Sequence, residues 1–243
     1  MSVLIETSLG DIVVDLHLTH APLASLNFLK QCLLRKYDGV LFYRVVPGFI
    51  AQTGDPTGTG TGGSSVLEKG VRYFNDELVP RKVDHSNAGT IGMTHTNGKP
   101  NENGSQWYVT LRDHLGDQLD GKFTVFGNVV EDENNVVGAL SASHVDESHR
   151  PYEDIRIFCT HVLDDPFPTP PHLISQVNEI MLQKYVPSKC VIPPVTEKIN
   201  SRDPYHKYKT KKELIHINNE QSKDVAATIT PHSPVIISYM SGT

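Results

Sequence analysis

The 243-residue sequence has little of what would place a protein in or across a membrane. No run of about 18 apolar residues occurs, which excludes a membrane-spanning helix. The opening Val3-Leu4-Ile5-Glu6-Thr7 lacks the basic start, apolar stretch and small-residue cleavage site of a secretory leader, so an intracellular, non-secreted protein is expected. Cysteine is scarce. Cys32, Cys159 and Cys190 are odd in number and without CxxC spacing, which argues against a disulfide framework and a cysteine zinc site. The 12 histidines contain no HxxxH or HExxH pattern, and His144 and His149 lie five apart. No metal and no cofactor are therefore expected, and His114, His161 and His206 read as surface or satisfied groups. Positive charge is also thin. Residues 1–165 carry 13 Lys and Arg against 22 Asp and Glu, a net −9, whereas residues 166–243 carry 9 against 6, a net +3. Phosphate attraction needs clustered bases, so nucleic-acid contact is left only to the tail.

What is present is a globular composition, 38% hydrophobic and 21% charged. Ser2–Leu9 and Ile12–Leu18 are β-branched runs joined at Gly10-Asp11, a hairpin pattern. Pro22 opens a run with Leu23, Leu26, Leu29 and Leu33 at helical spacing, closed by Asp38-Gly39. Further strands are predicted at Val40–Val46, Gly89–Thr94, Gln106–Leu111, Thr124–Val130 and Ile155–Leu163, and a second short helix at Glu131–Leu140. Gln52–Gly63 reads as an ordered loop, as does Asn97–Gly104, whose Asn103-Gly104-Ser105 is a literal glycosylation sequon. Many short strands with two helices predict a mainly β fold: a closed eight-stranded antiparallel barrel capped by two helices. At Leu163-Asp164-Asp165-Pro166-Phe167 the composition shifts. The expected domains are residues 1–165 and a Pro-containing, mildly basic extension over residues 166–243, irregular, partly disordered or helical, with Leu173–Gln183 as its helix.

Gly58, Gly60 and Gly63 satisfy GxGxxG, but no helix pattern follows, so the glycines are assigned to tight turns rather than to a dinucleotide. The segment Arg202–Lys212 mixes bases with aromatics. It reads as a solvated linker, with RNA contact or nuclear import as the sharper alternatives.

The chemistry-bearing stretch is Phe42-Tyr43-Arg44-Val45-Val46-Pro47-Gly48-Phe49-Ile50-Ala51-Gln52-Thr53-Gly54-Asp55. It resembles the cyclophilin signature F-x-R-x-x-P-G-F-x-x-Q-x-G-D, while Gly104-Ser105-Gln106-Trp107-Tyr108 and Leu119-Asp120-Gly121-Lys122-Phe123-Thr124-Val125-Phe126-Gly127 resemble two later stretches of that family. The resemblance implies a peptidyl-prolyl cis-trans isomerase with Arg44 as the catalytic residue. It implies a proline pocket of Phe49, Ile50, Tyr108, Leu119 and Phe123, and peptide-binding positions at Gln52, Thr94, His95 and Gln106. Taken singly, each of these residues would read as a surface, turn or core group. The physics agrees with the assignment. The X-Pro barrier of about 18–20 kcal/mol reflects lost amide conjugation, and the twisted imide nitrogen regains a lone pair that a fixed guanidinium can bond. No nucleophile or metal is needed.

Departures from the family pattern are Ile50 for Met, Phe123 for His, and Gln118 where many members carry Trp, which implies weak cyclosporin binding. The loop after Met93 reads as two residues longer. The opening V-L-I-E-T-S-L-G-D, Gln52–Gly60, and the Pro151–Arg156 to Asp164–Phe167 ending resemble the nuclear cyclophilins that carry an RNA-recognition motif, although no such motif can be read here. The partners implied are Pro-containing polypeptides and nuclear complexes, with a monomer in the nucleus and the cytoplasm as second compartment. A low-activity module that docks Pro-containing segments of RNA-processing or transcription complexes is the alternative function.

Overall fold

Period-two alternation decides the first hairpin. In the computed structural model, which describes residues 1–79 and 83–182, β1 (Ser2–Thr7) buries Val3, Ile5 and Thr7, and β2 (Gly10–Leu16) buries Ile12, Val14 and Leu16. Their turn relies on Gly10 at φ 130°, and Thr7 Oγ1 donates to the Gly10 carbonyl at 2.6 Å. Helix α1 (Pro22–Leu33) follows, with Ala24, Phe28 and Leu29 buried. It has no local cap. The Glu77 carboxylate supplies one from far along the chain, accepting from the amides of Leu23 (3.0 Å) and Ala24 (2.8 Å).

The remaining elements are β3 (Arg44–Val46), β4 (Ile50–Thr53), β5 (Thr90–His95), β6 (Asn103–Thr110), α2 (Gly116–Leu119), β7 (Val125–Glu131), α3 (Val136–Ser141) and β8 (Ile157–Val162). A 3-10 turn at Pro171–Leu173 leads into α4 (Ile174–Leu182). The eight strands form one antiparallel sheet in the order β3-β4-β6-β5-β7-β2-β1-β8. It curls into a half-barrel rather than closing through a continuous ladder. Its ends approach through the single bridge Leu41–Arg156, flanked by Phe42 N–H to Ile155 O (2.8 Å) and Ile157 N–H to Val40 O (2.9 Å). Helix α1 packs on β6, β7 and β8, and α3 on β2, β3 and β4, while α2 is a single turn absent from the sequence expectation.

Three further expectations are corrected. Ile50–Thr53 is a strand, because Pro47-Gly48 makes a turn, with Gly48 at φ 67°, after which the chain pairs back on β3. Asn103-Gly104-Ser105 is not a loop: it opens β6, buried, with Asn103 bridged to Phe74. The helix predicted from Glu131 starts only at Val136. Glu131 ends β7, and the Asp132 carboxylate accepts the amides of Val136 and Val137 at the start of α3.

The core centres on Trp107, ringed edge-on by Phe28, Tyr37 and Phe42 at centroid distances of 5.6, 6.3 and 6.2 Å. Beyond β8 the chain stays attached. Lys30, fully buried, pairs with Asp165 at 2.7 Å and donates to the Phe167 carbonyl at 3.0 Å, and Leu173 and Val177 pack on Leu34 and Val66. Gln183, Cys190, the Arg202–Lys212 segment and the apolar run Val235–Tyr239 lie outside the described residues.

Candidate functional site

The alternation that fills the core also builds the site. Val45, Ala51, Trp107, Val109, Ile91 and Met93 point inward, so their neighbours Arg44, Ile50, Gln52, Tyr108, Gly92 and Thr94 share the other face of β3-β4-β6-β5. Register places Arg44 opposite Gln52, and Gln52 opposite Tyr108. A register shift between Met93 and His95 lets two consecutive residues, Thr94 and His95, line the same cleft.

That cleft, about 410 Å³, is lined by Arg44, Gln52, Thr94, His95 and Gln106 together with Tyr43 and Arg150, two residues that the motif reading passed over. Arg44 Nη1 donates to Gln52 Oε1 at 2.9 Å, and Gln52 Nε2 reaches Thr94 Oγ1 at 3.5 Å. The guanidinium is thereby held by a neighbour that carries no charge to neutralise it. Gln106 is fully engaged. Its Oε1 accepts from Tyr43 O–H at 2.8 Å, and its Nε2 donates to the carbonyls of Gly60 (3.0 Å) and Gly62 (2.9 Å). Burial pushes the Tyr43 phenol far up, so it stays a donor.

The glycine loop behind Gln106 answers the GxGxxG question. The Asp55 carboxylate accepts the amides of Thr57, Thr59, Gly60 and Gly62 at 2.6–3.2 Å, so the loop's amides enclose an anion of its own. Burial alone would raise the Asp55 carboxyl, but the Thr57, Gly62 and Gly60 donors outweigh it and hold the group below its usual range. Gly58, Gly60 and Gly63 all have positive φ.

Beside the polar cleft lies an apolar cluster. Ile50, Tyr108, Leu115 and Leu119 are buried, with Phe49 and Phe123 packed on them. Gly92 makes room for the Tyr108 ring; a Cβ there would sit 2.4 Å from its hydroxyl. Phe123 stands edge-on to Tyr108 at 5.9 Å and 4.9 Å from the His95 ring, which joins the cluster to the cleft. Every residue assigned from the motifs therefore falls in one of two abutting groups. Gln118, one residue before the inward-packed Leu119, is exposed.

Two supporting groups carried no readable signal in the sequence. His85, fully buried, bonds Tyr108 O–H through Nε2 (2.7 Å) and Asp120 through Nδ1 (2.6 Å). Asp76 anchors His95 Nε2 at 2.8 Å. A larger hollow of about 560 Å³ beyond Phe123 is lined by Glu77, Asp84 and Asp120, and by no cationic side chain among the described residues. Among the described residues, the cationic side chains of Arg44 and Arg150 line the smaller cleft.

The family described as cyclophilin type peptidyl-prolyl cis-trans isomerase/CLD matches residues 2–162. The chain belongs to this family. The cyclophilin relatives include peptidyl-prolyl cis-trans isomerase CYP59 of Arabidopsis thaliana, 50% identical over 183 residues, covering 74% of this chain and 35% of that protein. Human peptidyl-prolyl cis-trans isomerase-like 4 is 44% identical over 178 residues, covering 72% and 35%. The chain thus spans about a third of the length of these curated relatives. A cyclophilin from Cryptosporidium parvum, crystallised in the presence of the dipeptide Ala-Pro, superposes with a TM-score of 0.62 at 34% identity, covering 68% of this chain and 100% of that one.

Proposed function

We propose that the chain is an active peptidyl-prolyl cis-trans isomerase acting on exposed X-Pro bonds of polypeptides. The observation that carries this is Arg44, fixed by Gln52 in a cleft that abuts the apolar cluster of Ile50, Tyr108, Leu119, Phe49 and Phe123. The proline ring occupies the apolar surface beside Phe123. The peptide backbone runs along Gln52, Thr94 and His95, with Gln106 shaping the wall by holding the Gly60–Gly62 loop. As the imide leaves planarity its nitrogen becomes an acceptor, and the Arg44 guanidinium bonds it. The planar ground state offers no such lone pair, so the bond lowers the barrier without equal tightening of the substrate.

The isomerase domain is residues 1–165, its curled sheet acting as a closed barrel through the Val40–Phe42 and Ile155–Ile157 contacts. Residues 166–243 form an extension beyond it. Nuclear protein complexes are the proposed setting, supported by the resemblance of the opening, the Gln52–Gly60 stretch and the Asp164–Phe167 ending to nuclear cyclophilins. No helix among the described residues is long and apolar enough to cross a membrane.

The test is an X-Pro isomerisation assay by exchange NMR with Arg44→Ala. A hydrogen bond from a charged donor contributes about 1.5–3 kcal/mol, so kcat/KM should fall roughly 10- to 150-fold with KM little changed. Wild-type protein that is folded yet gives no acceleration refutes the proposal. A folded Arg44→Ala with undiminished rate refutes the role of Arg44.

A further inference from the structure

Three potential metal ligands meet on the β1–β8 edge of the sheet, which contributes nothing to the cleft. Glu6 on β1 is directly opposite Cys159 on β8, and His161 lies two residues further along β8 on the same face. Ile5 and Ile157 face the core, and the register shift between Glu6 and Thr7, which pairs Ile157 with Thr7 but Cys159 with Glu6, leaves Glu6, Cys159 and His161 together on the outer face, half-buried. Their ligand atoms converge. Cys159 Sγ is 3.2 Å from Glu6 Oε2 and 3.3 Å from His161 Nε2, and His161 Nε2 is 2.9 Å from Glu6 Oε1. No other set of three such ligands occurs among the described residues.

We propose that Glu6, Cys159 and His161 form a zinc site with an open fourth position. Tetrahedral bonds of about 2.3 Å to sulfur and about 2.0–2.2 Å to nitrogen and oxygen separate S from N or O by roughly 3.6 Å and N from O by roughly 3.4 Å. The observed separations are smaller by only about 0.3–0.5 Å, a displacement that small side-chain rotations supply. The ligand set suits a borderline-soft ion, since Ca²⁺ or Mg²⁺ would call for oxygen donors throughout. Charge also balances. Without an ion the Cys159 thiol donates to Glu6 Oε2 at 3.2 Å; once that proton is lost, the thiolate and carboxylate, with a neutral imidazole, neutralise one divalent ion. Binding releases the thiol proton as the S–H bond gives way to S–Zn. A second carboxylate stands nearby: Asp38 Oδ1 is buried without a hydrogen-bond partner, close to His161 and to the Thr160 backbone between the two β8 ligands. The ion would clip β8 to its neighbour at the end of the sheet. The Cys-x-His spacing at 159–161 was the only sequence trace. The expectation of no metal rested on local spacing, which carries no information about Glu6, 153 residues from Cys159 on a paired strand.

The test is a titration of the metal-stripped full chain with Co²⁺, followed by displacement with Zn²⁺. One equivalent of Co²⁺ should give a sulfur-to-cobalt charge-transfer band and the intense visible bands of four-coordinate cobalt, both removed by one equivalent of Zn²⁺. Cys159→Ser should abolish the charge-transfer band, Glu6→Gln or His161→Gln should weaken binding by more than about tenfold, and all should keep wild-type isomerase rates. Absence of the band in wild-type protein overturns the site. So does a band undiminished in Cys159→Ser, which would place the metal on Cys32 or Cys190. Should Cys159→Ser fail to fold, unaltered cobalt affinity in both Glu6→Gln and His161→Gln overturns it equally.

Discussion

Tyr108→Phe isolates one buried hydrogen bond beneath the proposed proline pocket. The hydroxyl is removed while the ring facing Phe123 and Ile50 remains. Burial first, and the Asp120 charge second, push the Tyr108 phenol far above its ordinary value, so it is a donor. Asp120 accepts at His85 Nδ1, which leaves His85 Nε2 as the acceptor for Tyr108. With both rings at 0–1% exposure, water cannot replace the lost donor. An unsatisfied buried acceptor costs about 1–3 kcal/mol, and at roughly 2–4 °C per kcal/mol for a domain of this size the Tm should fall by about 2–12 °C. Pairing it with His85→Leu removes both polar groups. The double variant should then be more stable than the sum of the singles predicts, by about 0.5–3 kcal/mol. Thermal and urea unfolding of the four proteins is the assay, with near-UV circular dichroism as a check on the fold. A Tyr108→Phe stability within about 0.5 kcal/mol of wild type, or strict additivity, would refute the reasoning.

Asp165→Asn should destabilise by about 3 kcal/mol in urea unfolding. It leaves the Lys30 ammonium buried with no anion, and the figure sits at the low end for a broken buried pair because Asp165 is itself a quarter exposed. Asp55→Asn should flatten the acid limb of stability. The folded Asp55 carboxyl is held below its ordinary value, so the unfolded chain binds more protons beneath about pH 4, and its stabilising share is lost as pH falls from there through the folded pKa. Urea midpoints at pH 6 and at pH 3 should therefore differ less in the variant than in wild type.

The motif residues were legible only through the family resemblance; in the structure, alternation on β3, β4 and β6 sets Arg44, Gln52 and Tyr108 on one face and Val45, Ala51 and Trp107 on the other. The hairpin and α1 were legible for a local reason, alternation in one and three-four spacing in the other. Contacts that join distant segments were not. Glu77 capping α1, His85 beneath Tyr108, Lys30 held by Asp165, and Glu6 brought beside Cys159 and His161 each depend on which strands become neighbours. Even the strand β4 was hidden, since a four-residue run after Pro47-Gly48 carries too little pattern until β3 and β6 flank it. The sequence by itself determined the family and singled out its motif residues, Arg44 among them. Tertiary structure alone decided what supports those residues, because strand order and register are settled by burying the whole core at once, and no local spacing encodes them.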